Sequence, residues 1–319
     1  MNICILANGG FTIGMGHITR MLTLANSLKF EFNITFLCDN SCSYIEGINR
    51  VKQEGFAVKI IKENLEEILQ ELKCEVIIID KYDISSDFLL DLNKKYKIIY
   101  IDDNNHLDYY PVDILINQNF YSVNFHYKSK KDTLKLLGNS YVFLRDEFYK
   151  ANKVLINKDI MDVLITVGGS DNNNITLQIL KKIKNYNFKK HVIIGPAFKY
   201  SNELRKINDS NIIFYDNPNM SKVMEKIDVA ISGCGSTLYE LFYLGLPTIG
   251  LVLADNQVNN ANYLDSIGAI IKSDLKSLSK NIDLMNYKNR CDINKRIRKL
   301  IDGNGKERIK KEILNLLKK

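Results

Sequence analysis

Six cysteines occur in 319 residues, and no two of them are spaced C-x-x-C. That excludes the common zinc-ribbon and thioredoxin-like patterns. His126 and His191 have no carboxylate or cysteine at ligand spacing, so no metal site is expected. Cys4, Cys38, Cys42, Cys74, Cys234 and Cys291 read instead as buried thiols of a reducing compartment. No apolar run approaches roughly 18 residues, and no basic-then-apolar signal opens the chain, so the expectation is a cytoplasmic protein without a stable membrane anchor. Low-complexity segments and short repeats are missing. No DNA- or RNA-binding motif occurs, and the net charge of +7 comes from lysines spread along the chain. A solvated surface, rather than nucleic acid as partner, is the expectation.

What is present is alternation. Met1–Ala7, Asn33–Cys38, Ala57–Ile61, Val76–Asp80, Lys97–Ile101 and Asp113–Asn117 read as strands. Several are continuously apolar, as parallel strands covered on both faces are. Helical patterns at His17–Leu28, Leu65–Leu72 and Ser85–Lys94 lie between them. The pattern restarts at "MDVLITVGG" (161–169), continues through "HVIIG", "NIIFY", "DVAIS" and "PTIGLV", and closes with a charged helix at Lys306–Leu317. The fold class is therefore α/β: two doubly wound Rossmann-like domains facing across a cleft, 1–150 and 151–319, with Tyr149–Asp159 as linker.

Two motifs carry chemistry. In "IGMGHITR" (13–20), Gly14 and Gly16 let the backbone approach a ligand, and His17 opens a helix at its anion-favouring end. Thr19 stands where a dinucleotide fingerprint has its third glycine, which argues against such a cofactor. Arg20 reads as structural. In "SGCGSTLYELFYLGLPTIGLVLADNQ" (232–257), Gly233, Gly235, Ser236 and Thr237 form a glycine and hydroxyl turn at a helix start, suited to phosphate. Glu240, one turn in, either accepts from a ribose diol or favours the helix N-terminus. Asp255, Asn256 and Gln257 form a polar cluster at a strand end.

These motifs, with "DKYDIS" (80–85), "LRDEFY" (144–149), "TVGGSD" (166–171) and "DGNGKERI" (302–309) in this order, resemble a family: the UDP-sugar hydrolases of pseudaminic acid biosynthesis and the related spore-coat polysaccharide proteins. The resemblance covers nearly the whole chain. It implies the GT-B glycosyltransferase fold with water as acceptor, no metal and no cofactor. The implied reaction converts UDP-2,4-diacetamido-2,4,6-trideoxy-β-L-altropyranose to free sugar and UDP. His17, Tyr82 and Asn256 match the family's catalytic positions. Gly233, Gly235, Ser236, Thr237, Glu240 and Gln257 fall in the UDP- and substrate-binding segments, and 214–216 matches the region that meets uracil.

A neutral imidazole near pH 7 accepts a proton, so His17 is expected to activate water for inverting attack at C1. The alternative is an inverting GT-B glycosyltransferase using the same donor, and a third is a non-catalytic nucleotide-sugar binder. A monomer is expected. Asp102–Asp103 reads as a turn rather than a metal pair, and His106 as an exposed loop residue or a wall of the sugar pocket. Tyr109, Tyr110, Phe120, Tyr121 and Phe125 read as core, and Lys199–Lys206 as a solvated helix face.

Overall fold

A computed structural model describes residues 1–62 and 64–318. The chain forms two compact units, Met1–Phe143 with Asn304–Lys319, and Leu144–Gly303.

The first unit has seven strands: β1 (Asn2–Ala7), β2 (Asn33–Asp39), β3 (Ala57–Ile61), β4 (Val76–Asp80), β5 (Lys97–Ile101), β6 (Ile114–Asn117) and β7 (Leu134–Leu137). They pair in parallel in the order β3-β2-β1-β4-β5-β6-β7. The continuous apolar runs behave as their composition requires, and every residue of β4 is buried. Helices α1 (Gly16–Leu28), α2 (Ile45–Gln53), α3 (Leu65–Glu71) and α4 (Ser86–Asn93) connect the strands. Ile18, Met21, Leu22, Ala25 and Leu28 of α1 are all buried, the i, i+3, i+4 face that packs on the sheet. Sequence reading missed β7: "LKLL" is short and mostly uncovered.

The second unit has six parallel strands: β8 (Asp162–Thr166), β9 (Lys189–Ile194), β10 (Ile212–Asp216), β11 (Val229–Gly233), β12 (Thr248–Leu251) and β13 (Ile271–Ser273). Their order is β10-β9-β8-β11-β12-β13. Its helices are α5 (Ile175–Lys182), α6 (Ser201–Leu204), α7 (Met220–Met224), α8 (Thr237–Leu244), α9 (Val258–Ser266), α10 (Leu278–Asp283) and α11 (Tyr287–Ile297). Only one turn of the expected Lys199–Lys206 helix forms, as α6. α8 stops where "LGLP" requires. Gly245 takes φ +79°, and Leu246 N–H closes back on the Leu241 carbonyl at 2.8 Å.

The expected division at 150/151 is corrected at both ends. The stretch read as a linker belongs to the second unit. There Val154 N–H donates to the Leu244 carbonyl at 2.8 Å, and Asn152 N–H donates to Glu225 at 2.7 Å. The closing helix, α12 (Gly305–Leu316), belongs to the first unit. Its Ile309 and Ile313 are fully buried in the core that contains Ile18, Met21 and Leu24 of α1. Lys310 pairs with Glu31 at 2.7 Å. An amphipathic helix shows in sequence which face is apolar, but not which core will cover it. Ile309→Ala should cost roughly 2–5 kcal/mol of stability. The check is denaturant unfolding followed by hydrogen exchange, with lost protection expected in β1 and α1 and unchanged protection in β8 and β11.

The cysteine expectation holds for four residues. Cys4, Cys38, Cys74 and Cys234 are buried, whereas Cys42 is exposed and Cys291 half-buried; all six are free thiols. Among the described residues no helix is long and apolar enough to cross a membrane.

Candidate active site

In the first unit β1 and β4 are the neighbours at which strand order reverses. Ligands of doubly wound sheets bind at the carboxyl ends of strands at such a point. Three segments meet there: the loop from β1 into α1, the end of β4 with the residues that follow it, and the segment after β5.

The first supplies His17 and Arg20. Gly14, at φ +76°, turns the loop back so that Gly10 N–H donates to its carbonyl at 2.8 Å. α1 begins at Gly16, one residue before the sequence reading. A Cβ placed on Gly16 would meet nothing within 4 Å, so its outer face is open. His17 and Arg20, three residues apart, share one helix face, and both are buried.

The second segment supplies Asp80, the last residue of β4, fully buried. The His17 Nδ1 nitrogen lies 2.6 Å from Asp80 Oδ1. Arg20 grips the same carboxylate as a fork, Nε to Oδ2 at 2.6 Å and Nη2 to Oδ1 at 2.5 Å. A second fork holds Asp103, Nη1 to Oδ1 and Nη2 to Oδ2, both at 2.9 Å. Both Nη2 hydrogens are thus given to carboxylates, and the 3.2 Å approach of Nη2 to His17 Nδ1 is packing. His17 must therefore donate Nδ1–H to Asp80, which leaves the lone pair on Nε2. No described residue hydrogen-bonds Nε2.

Tyr82, two residues past Asp80, lies edge-on to the His17 ring with centroids 4.7 Å apart. Its hydroxyl donates to Asp103 Oδ2 at 2.6 Å. Burial first, and then the Asp103 charge, hold the phenol well above its ordinary value, so it is a fixed donor. Burial pushes the Asp80 and Asp103 carboxyls up, but Arg20 outweighs it and both finish below the usual carboxylate range. One guanidinium against two carboxylates leaves one net negative charge, and a proton on His17 would cancel it.

The turn read at Asp102–Asp103 exists, with Asp102 Oδ2 accepting Asn105 N–H at 2.7 Å, but it does not describe these two residues. Both are buried acceptors. Asp102 also takes the Tyr127 hydroxyl at 2.6 Å and the Tyr110 hydroxyl at 3.2 Å, while Asp103 takes Asn119 at 3.1 Å besides Arg20 and Tyr82. Of the aromatics read as core, Tyr110, Phe120 and Tyr121 are buried, Phe125 is half-buried and Tyr109 is exposed. Arg20 has the structural role expected, though buried rather than on the surface.

In the second unit the reversal lies between β8 and β11. The turn after β11 places Gly235, Ser236 and Thr237 half-buried at the start of α8. The first N–H groups of a helix have no intrahelical acceptor, so this end suits an anion. Gln257 braces the turn: its Oε1 accepts Cys234 N–H at 3.2 Å and Leu253 N–H at 3.0 Å. Asn256 sits half-buried beside it in a single 3₁₀ turn. Glu240 is buried, and its carboxylate is held by Arg145 at 2.6 and 2.7 Å. Sequence reading gave it a ribose or the helix N-terminus, and Arg145 is the partner it missed. Gly233, the last residue of β11, is buried, and a Cβ there would stand 3.0 Å from the Leu253 side chain. In "TVGGSD", Asp171 caps α5 by accepting Ile175 N–H at 2.6 Å and Thr176 N–H at 2.9 Å.

The motifs thus pair off: "GHITR" with "DKY", "LRDEFY" with the helix of "GSTLYE", and "DNQ" with "SGCG". Residues 162–313 match the glycosyltransferase family 28 C-terminal domain. The spore-coat polysaccharide biosynthesis protein SpsG of Bacillus subtilis is 25% identical over 96% of this chain and 95% of its own. The UDP-2,4-diacetamido-2,4,6-trideoxy-β-L-altropyranose hydrolase of Campylobacter jejuni is 29% identical over 84% of this chain and 97% of its own. The chain is thus similar to both over most of its own length and nearly all of theirs. It is also 31% identical to the uncharacterized protein MJ1062 of Methanocaldococcus jannaschii over 88% of its length, and spans 61% of that longer protein. Among solved structures, MurG of Acinetobacter baumannii superposes with a TM-score of 0.67 at 13% identity, covering 99% of this chain and 100% of MurG. The spinosyn rhamnosyltransferase SpnG bound to thymidine diphosphate also gives 0.67, at 10% identity over 94% of this chain and 96% of its own. The chain has the GT-B glycosyltransferase fold.

Proposed function

We propose that the protein hydrolyses a UDP-sugar, UDP-2,4-diacetamido-2,4,6-trideoxy-β-L-altropyranose, by inverting attack of water at C1. The observation that carries this is the buried 2.6 Å contact between His17 Nδ1 and Asp80, which fixes the ring and turns its basic nitrogen away from the carboxylate. On this reading His17 Nε2 takes a proton from water as the water oxygen bonds to C1. The bond from C1 to the diphosphate oxygen breaks, and UDP departs with the electron pair. The imidazolium then releases its proton to solvent. The net negative charge of the Arg20, Asp80 and Asp103 group favours the protonated ring as it forms. The nucleotide belongs to the second unit, where Gly233, Gly235, Ser236 and Thr237 meet the diphosphate at the start of α8 and 214–216 meets uracil. Gly14 and Gly16 give the sugar room beside His17, Asn256 and Gln257 orient it, and Glu240 faces the ribose from its Arg145 bridge. The reading invokes no metal. Free thiols, exposed Cys42 among them, suit a reducing cytoplasm.

The named hydrolase relative supports this reading, and the MurG and SpnG likenesses support the alternative, inverting transfer to a carbohydrate acceptor. Incubation with the UDP-sugar alone separates them. Steady UDP release without acceptor, with the first-formed free sugar inverted at C1 by NMR, is the expected result. Release that begins only when an acceptor is added would make the protein a transferase.

A further inference from the structure

His106 lies in the loop after β5 with its side chain 31% exposed, and the reaction above does not use it. Its surroundings are unusual for a loop histidine. Nε2 is 3.1 Å from the Tyr82 carbonyl oxygen, and Nδ1 is 3.3 Å from Asp102 Oδ1. A carbonyl oxygen and a carboxylate are both acceptors, so each ring nitrogen faces a group that can only receive a hydrogen. A neutral ring has one N–H and would turn a lone pair toward one of them. Only the imidazolium satisfies both.

Asp102 cannot turn away, because Tyr127, Tyr110 and the Asn105 N–H hold it. The charged and titratable groups facing His106 are Asp102 and Asp103 beyond β5, Tyr82 beyond β4 and Tyr110 farther along the same loop. The Asp102 carboxylate beside Nδ1 raises the His106 pKa above the ordinary imidazole value. The His106 ring is T-shaped on Tyr82 at 6.4 Å, and Tyr82 is T-shaped on His17 at 4.7 Å.

We propose that His106 is a positioning residue working as the imidazolium, its two N–H groups tying Asp102 to the Tyr82 carbonyl and so holding the Tyr82 ring against His17. The consequence for turnover rests on the hydrolase reading; the geometric part does not. The two histidines then act in opposite protonation states. His17 must be neutral to take the proton from water. His106 must be charged, and because its folded pKa is raised, the latch is complete at low pH and released as pH rises through that value.

The test uses the full chain, ¹⁵N-labelled, with His106→Gln as comparison; glutamine keeps one donor and does not titrate. Long-range ¹H–¹⁵N spectra of the four histidines should show both His106 nitrogens protonated above the pH at which a free imidazole loses its proton. The His17 ring protons, beside the Tyr82 ring, should shift across the His106 titration in the wild type and show no such shift in His106→Gln. In UDP-release assays the wild type should lose about 3- to 10-fold in kcat across the His106 titration, the worth of one hydrogen bond. The variant should lack that alkaline limb and keep the wild-type KM. A neutral His106 at pH 6, or His17 signals blind to its titration, would overturn the proposal. His17 signals that follow the His106 titration, with no UDP-sugar turned over, would support the latch and sink the hydrolase reading instead.

Discussion

His17→Ala lowers kcat for UDP-sugar hydrolysis by roughly 10²- to 10⁴-fold, the usual worth of a general base. That is about 3–5 kcal/mol of transition-state stabilisation, enough to stand apart from indirect effects. The variant should keep its fold, because Arg20 still holds both Asp80 oxygens once the imidazole is gone. Nucleotide affinity should stay near the wild-type value, since the nucleotide is assigned to the turn after β11 in the other unit. Steady-state kinetics and UDP titration calorimetry on the same preparation make the check. Full turnover in the variant removes His17 from the chemistry; lost UDP binding with unchanged kcat assigns it to the donor site instead.

Arg20→Leu has the largest expected effect on stability. It strands two buried carboxylates, Asp80 and Asp103, that now share one guanidinium. Removing one partner of a buried ion pair costs roughly 3–5 kcal/mol. In the wild type both carboxyl pKa values are depressed by Arg20, so their stabilisation is present above the unfolded value near 4 and is lost as pH falls through the lower folded values. Without Arg20, burial and mutual repulsion raise both, and the carboxyls bind protons on folding. The deficit should therefore be largest near neutrality and shrink toward about pH 4, where the variant's carboxyls are neutral. Urea unfolding of both proteins between about pH 4 and 7 tests this. A deficit independent of pH would mean that the loss is one of packing, and that the charge balance proposed to assist His17 does not operate.

The α/β class, eleven of the thirteen strands among the described residues and the α1 packing face were legible because their signals are local. A continuous isoleucine run marks a covered parallel strand, a 3.6 period marks α1, and a glycine before proline marks the end of α8. The two missed strands, β7 and β13, have four and three residues, too few for any period to show. His17 stood out for what it could do, and Tyr82 only through the family resemblance. Asp80 did not, although it sits two residues before Tyr82. A carboxylate ending an apolar strand looks the same whether it meets solvent or an imidazole. The Asp102–Asp103 pair misled for the related reason that "DDNN" is sound turn chemistry, and the turn is indeed there.

Composition and pattern by themselves determined two parallel α/β units and picked out His17 and the turn after β11 as groups able to do chemistry; the ordered motifs added the resemblance to a family. Which of those groups touch was decided only by the tertiary structure. Arg20 meets Asp80 sixty residues away and Asp103 eighty-three residues away because β1, β4 and β5 lie side by side. The charge state of a buried group depends on the neighbours that strand order gives it, and chain separation carries no record of them. The same holds for α12: its apolar stripe is written in the sequence, but the first unit's core, having room beside α1, settled where it packs.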